Sequence, residues 1–171
     1  MNEILILYIL NKSQTTMYGL SKTINKIYGS VTKPSFGTLQ PALKKLEQNK
    51  YIFASKFYTE GGKPYFYYSI TENGLQFLKE RLIKNTSTNP TQFLSMTKIK
   101  LACCDILEPT ETEIIFKQLK ANLSKLKTEA EKALSGNWKD NFYCRMVLDN
   151  NVCEYKNLIN LIEGLENASN S

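Results

Sequence analysis

The chain has 171 residues, of which 42% are apolar types and 22% charged. That is ordinary globular usage, long enough to bury a core without disulfide or metal support. The longest apolar run, residues 4–10, falls far short of the roughly 18 residues that a membrane span needs, and no secretory signal is evident.

Cys103 and Cys104 are neighbours, with Cys144 and Cys153 further on, a pattern that argues against a secreted disulfide framework. The expectation is a cytoplasmic chain with reduced thiols and no membrane partner. Histidine is absent, which removes the commonest general base and metal ligand together with Ser-His and Cys-His catalysis. No phosphate loop or paired-cysteine metal motif appears either. The reading therefore expects no catalytic residues, no metal and no cofactor, and does not favour an enzyme.

The net charge of +6 is unevenly placed: residues 1–85 carry 12 Lys/Arg against 5 Asp/Glu, leaving 10 against 11 for the rest. A positive balance confined to one half suggests a module for nucleic acid or another anionic surface, joined to a neutral module. The polar stretch Asn85-Thr86-Ser87-Thr88-Asn89-Pro90 marks the expected junction, with domains at 1–85 and 91–166.

Residues 3–11 are apolar nearly all round, which predicts a helix sandwiched on more than one side. Thr16 can cap a second helix over 17–28, with Leu20, Ile24 and Ile27 or Tyr28 inward and Gly29 at its end. A third helix follows Lys33-Pro34, with Ser35 as N-cap, Pro41 inside it and an end near Gln48. Leu39, Ala42 or Leu43, and Leu46 form its buried stripe. Phe36, Thr38, Gln40, Lys44, Lys45 and Gln48 are left outside, a set of hydrogen-bonding and cationic groups suited to a helix entering a major groove. As a solvated face, the same lysines would mean nothing.

The period then changes from helical to alternating. Residues 51–58 and 64–70 read as strands joined by Thr59-Glu60-Gly61-Gly62-Lys63, a hairpin with a glycine turn. Phe66, Tyr68 and Ile70 share one face, Tyr65 and Tyr67 the other. Thr71 can cap a fourth helix over 72–84. Three helices, a hairpin and a closing helix make a winged helix-turn-helix.

In the second half, a helix is expected over 93–107, ending before Pro109. Thr110 with Glu113 suggests a capping box for the next, with Ile115, Leu119, Leu123, Leu126, Ala130 and Ala133 inward. The last helix, about 139–165, carries one stripe of Leu148, Val152, Tyr155, Ile159 and Ile162 and another of Leu158, Leu161 and Leu165. Such a helix has more apolar surface than one partner covers, so either a self-contained bundle or packing against a second copy is open. The fold class is mainly α with a small β-hairpin.

Met17-Tyr18-Gly19-Leu20, then Pro34-Ser35-Phe36-Gly37-Thr38-Leu39-Gln40-Pro41-Ala42-Leu43-Lys44-Lys45-Leu46-Glu47, then Gly62-Lys63-Pro64 with Tyr67-Tyr68-Ser69-Ile70-Thr71-Glu72-Asn73-Gly74 together resemble the PadR family of bacterial transcriptional regulators. The likeness extends more loosely to about Glu166. It implies a dimeric winged-helix repressor that binds double-stranded DNA, and it favours the second-copy reading of the last helix. This chain departs from the family's usual pattern in having Gln40 before the proline where a tyrosine is usual, and Lys50 in place of a glycine. It also has Tyr65 and Phe66 where the wing commonly carries basic residues. Wing contacts then fall to Lys63 and to aromatic or hydroxyl groups such as Tyr65.

The resulting DNA-contact candidates are Tyr18, Ser35, Phe36, Thr38, Gln40, Lys44, Lys45, Lys63 and Tyr65. For Tyr18, phosphate contact competes with core packing. Trp138, Phe142 and Met146 are candidates to line the pocket of a small-molecule effector, although aromatics at that spacing also serve a core. Cys103 and Cys104 as a redox or soft-metal sensor compete with two small buried hydrophobes. The leading functional reading is a homodimeric repressor relieved by an effector. The competing one is a protein-interaction adaptor that keeps the winged-helix fold without binding DNA.

Overall fold

Helix α1 (Asn2–Lys12) buries Ile4, Leu5, Ile6, Leu7, Ile9 and Leu10, as expected for a helix packed on several sides. Each such side chain contributes about 1.5–3 kcal/mol on burial, so α1 is the hydrophobic axis of its unit. The computed structural model describes residues 1–84, 89–136 and 140–169. They fall into two compact units, Met1–Ile106 and Leu107–Ser171.

In α2 (Met17–Tyr28) the Thr16 hydroxyl accepts from the Gly19 N–H at 3.1 Å, and Leu20, Ile24 and Tyr28 point inward while Ile27 is exposed. A side chain at position 19 would collide with the Thr15 hydroxyl, so Gly19 lets the α1–α2 loop lie close to the helix. Helix α3 (Phe36–Gln48) buries Leu39, Leu43 and Leu46. Ser35 occupies the N-cap position, but its side chain makes no cap bond. Instead the Thr38 hydroxyl donates to the Ser35 carbonyl at 2.9 Å.

The end of α3 explains the departure at Lys50. Its N–H donates to the Glu47 carbonyl at 2.9 Å and that of Tyr51 to Leu46 at 3.0 Å, the paired bonds of a left-handed helix terminus. Lys50 accordingly has φ +59°, a conformation glycine adopts without a steric penalty.

Strands β1 (Ile52–Tyr58) and β2 (Pro64–Ile70) pair antiparallel, from Ile52 opposite Ile70 out to Tyr58 opposite Pro64. Thr15 adds a bridge to Tyr68, tying the hairpin to the α1–α2 loop. At the tip Gly62 has φ +76° and donates to the Thr59 carbonyl at 2.9 Å. In α4 (Glu72–Ile83) the Thr71 hydroxyl caps Gly74 N–H at 3.0 Å while donating to the Lys50 carbonyl at 2.8 Å. One side chain thus joins the end of α3 to the start of α4.

Helix α5 differs from expectation at both ends. It runs Pro90–Ala102, with Asn89 accepting from Gln92 N–H at 3.1 Å, because proline at the first helical position loses no hydrogen bond. It stops short of residue 107 in a 3-10 turn, Cys104–Ile106. There Asp105 accepts from the Tyr8 hydroxyl at 3.0 Å and pairs with Lys12 at 2.5 Å. Lys100, 2% exposed, donates to the Lys84 carbonyl at 2.5 Å. These bonds hold α5 within the first unit, so the division falls after Ile106 rather than at residues 85–90, of which 85–88 lie outside the described residues.

The second unit is formed by α6 (Pro109–Leu134) and α7 (Phe142–Ser169). The Glu111 carboxylate accepts from the Glu108 N–H at 3.0 Å, so the capping pair starts two residues ahead of the expected Thr110 and Glu113, again because Pro109 fits the first helical position. Ile115, Phe116, Leu119, Leu123 and Ala130 face inward on α6, and Val152, Tyr155, Leu158 and Ile162 on α7. Lys120 pairs with Glu166 at 2.5 Å, which joins the middle of α6 to the last turns of α7. Among the described residues, no helix is long and apolar enough to cross a membrane.

Candidate nucleic-acid interface

With about 100° between successive helical residues, Leu39, Leu43 and Leu46 of α3 occupy a narrow buried sector. Phe36, Gln40, Lys44 and Gln48, at successive spacings of four, form one exposed row beside it. Within that row Lys44 and Gln48 turn furthest from the core, whereas Gln40 sits on the shoulder rather than directly opposite the leucines. Ser35 and Thr38 are exposed at the N-terminal end, where free N–H groups favour an anion.

The two adjacent lysines are not equivalent. Lys45 donates to the Glu3 carboxylate at 2.7 Å, so its charge is engaged by α1. Lys44 has no ion-pair partner among the described residues. On α2 the exposed residues Tyr18, Lys22 and Lys26 form a second row at spacings of four, which places Tyr18 at the surface and not in the core.

In the hairpin, Lys63 is exposed and its backbone fastens the turn: its N–H donates to the Thr59 hydroxyl at 3.1 Å, and its carbonyl accepts from Thr59 N–H at 3.0 Å. Tyr65 is less available than the sequence suggested. Its ring lies 5.9 Å from both Phe57 and Tyr67, and Phe57 stands 5.6 Å from Tyr67, an aromatic cluster on one face. The opposite face carries Lys56, Tyr58 and Phe66, all exposed; none of the three is among the DNA-contact candidates read from the sequence. The strand alternation separates these two faces, and both keep exposed rings, Phe53 and Phe57 on the one and Tyr58 and Phe66 on the other.

Cys103 is buried, and burial pushes its thiol up to about 12. Cys104 donates to the Lys100 carbonyl at 3.2 Å, and burial raises it to about 11. Both are therefore protonated near neutral pH, the unreactive form of the group, which favours the packing role over the sensor. Burial also lowers Lys100 to about 8.

Of the effector candidates, Trp138 lies outside the described residues. Phe142 and Met146 are exposed on the first turns of α7 beside Tyr143, 81% exposed, and Val147. They form an open apolar strip along the helix.

A sequence profile described as the PadR-like family of transcriptional regulators matches residues 6–80. Similar solved structures include Bacillus subtilis PadR in complex with operator DNA, 21% identical, covering 97% of this chain and 96% of that one with a TM-score of 0.48. The smu.1704 protein of Streptococcus mutans is 32% identical over 47% of this chain and 71% of that one, TM-score 0.40. A PadR family transcription regulator from Clostridium difficile is 28% identical over 47% and 81%, TM-score 0.41. No curated protein matches.

Proposed function

The chain belongs to the PadR-like family of transcriptional regulators, and from that premise we propose that it is a homodimeric, sequence-specific DNA-binding repressor released from its operator by a small molecule. The observation that carries the reading is the exposed row Phe36, Gln40, Lys44 and Gln48 on a helix whose other side is locked into the core. A rigid helix presenting amide and ammonium donors in a row can address base edges. Glutamine pairs with adenine and lysine donates to guanine, each good pair contributing about 1–3 kcal/mol of discrimination. The charge excess of residues 1–85 supplies attraction to phosphate.

Self-association falls to the second unit. Phe142, Tyr143, Met146 and Val147 leave an apolar strip on α7 exposed to water, and a two-fold contact between identical strips buries both at once. Two recognition helices would then address half-sites about 34–36 Å apart or a multiple of that distance. An effector held by Phe142 and Met146 would act at this contact and so on half-site spacing.

The test is selection of binding sites from random duplexes by the full-length protein, followed by Lys44→Ala and Gln40→Ala on the selected and on scrambled sequence. Loss on the selected site alone supports base readout, and equal loss on both assigns the residue to phosphate. Sedimentation of a Tyr143→Glu, Val147→Glu variant should give a monomer. A dimer would place the interface elsewhere.

A further inference from the structure

We propose that the outer half of one hairpin face is an apolar wedge that enters the minor groove and opens a base step beside the site contacted by α3. The proposal rests on the DNA-binding reading above. The strand register sets Lys56 opposite Phe66 and Tyr58 opposite Pro64, so these four residues share a face. The inner half of that face, Ile52 opposite Ile70 and Ala54 opposite Tyr68, is buried or half-buried. Its outer half projects beyond the core, with Phe66 43% and Tyr58 61% exposed.

On the other side of the hairpin Phe57, Tyr65 and Tyr67 engage one another, with Phe57 still 45% exposed, whereas Tyr58 and Phe66 have no aromatic partner among the described residues. What lies beside them is positive charge. The Lys56 ammonium stands 5.0 Å from the Tyr58 ring centroid, close enough to be attracted by the ring while still free to meet an anion, and Lys63 follows in the turn. Glu60 is the carboxylate of the same turn.

Apolar rings rimmed by cations fit a surface that is apolar in the middle and anionic at its edges. The minor groove has that layout, with base and sugar edges on its floor and walls and phosphates along both rims. Proteins that meet it this way insert an apolar side chain at a base step and unstack it. The positive balance of 12 basic against 5 acidic residues in the first half favours duplex over an uncharged or cationic protein as the occupant.

The experiment uses the full-length protein and a duplex that it selects from a random pool, synthesised with 2-aminopurine at successive positions flanking the recognition-helix contacts. Wild-type binding should raise the emission at one step. Phe66→Ala and Tyr58→Ala should each abolish that rise and weaken binding about tenfold, in line with the loss of a stacked aromatic. Phe66→Leu and Tyr58→Phe should retain it, and Glu60→Gln should bind more tightly. Both rings are exposed, so unchanged melting curves will show that the variants fold. Tight binding without an emission change at any step overturns the wedge and leaves the DNA-binding reading standing. If Phe66→Ala keeps full duplex affinity but loses self-association, the face is a contact between copies and the wedge is overturned. Failure to select any duplex overturns both readings.

Discussion

Lys50 offers a quantitative test of how this fold tolerates its own sequence. It sits with φ +59° where α3 turns into β1, held by the Lys50 and Tyr51 N–H bonds back to Glu47 and Leu46. Left-handed backbone costs an L-residue about 1–2 kcal/mol through the approach of Cβ to the following carbonyl. Glycine removes that cost but gives the unfolded chain extra freedom, worth about 0.4–1 kcal/mol in the opposite direction. The difference predicts that Lys50→Gly stabilises by about 0.5–1 kcal/mol. In a chain of this size that raises the melting temperature by about 1–4 °C. The assay is urea unfolding followed by far-UV circular dichroism, with two companions. Lys50→Ala retains the strain and should gain nothing, whereas Lys50→Asn, which tolerates the left-handed region, should fall between. If Lys50→Gly is no more stable than Lys50→Ala, the strain is not where the backbone angle puts it.

Three further outcomes follow from the same structure. Lys100, lowered by burial to about 8 from an ordinary value of 10.5, binds its proton less tightly folded than unfolded. Its burial therefore costs stability at pH 7, and this penalty is relieved as pH rises from about 8 towards 10.5. Lys100→Met should exceed wild type in urea melts at pH 7 by a margin that shrinks by pH 10, and a constant margin would refute the assignment. With the thiols of Cys103 and Cys104 raised by burial and Cys153 exposed, iodoacetamide should alkylate Cys153 first in the native chain, as mass spectrometry of the digests would record. Equal rates at Cys104 would contradict its burial. Finally, Lys63→Ala should make the log-log salt dependence of duplex binding shallower by about 0.9, one phosphate's worth, without changing sequence preference. An unchanged slope would remove Lys63 from the backbone contacts.

The parts of this molecule legible in its sequence are those decided locally. Thr16 and Thr71 announce their helices because a cap acts on an N–H three residues on. The hairpin and the two faces of its second strand follow from the alternating period on either side of the glycine turn. The end of α5 was not legible in this way. Asp105 finds Tyr8, 97 residues away, and Lys12, 93 away, and those partners turn the chain where helical periodicity alone would continue to residue 107. Lys100 depends on tertiary structure in the same way: its burial is matched by the Lys84 carbonyl, 16 residues away.

The candidate interface divides along the same line. Periodicity assigns Lys44 and Lys45 to the outside of α3 with equal force, because it knows only the angle each makes with Leu39, Leu43 and Leu46. Glu3, 42 residues from Lys45, then takes one of the two and leaves Lys44 the better placed to meet another anion. The hairpin repeats this. Alternation puts Tyr65 and Phe66 on opposite faces, and the partners Phe57 and Tyr67 engage Tyr65 while Phe66 has no aromatic partner among the described residues. A sequence pattern specifies which side chains share a surface. Which of them are free to bind depends on neighbours that only the tertiary fold supplies, so the residues best placed to touch DNA are the exposed ones whose neighbours have left them unengaged.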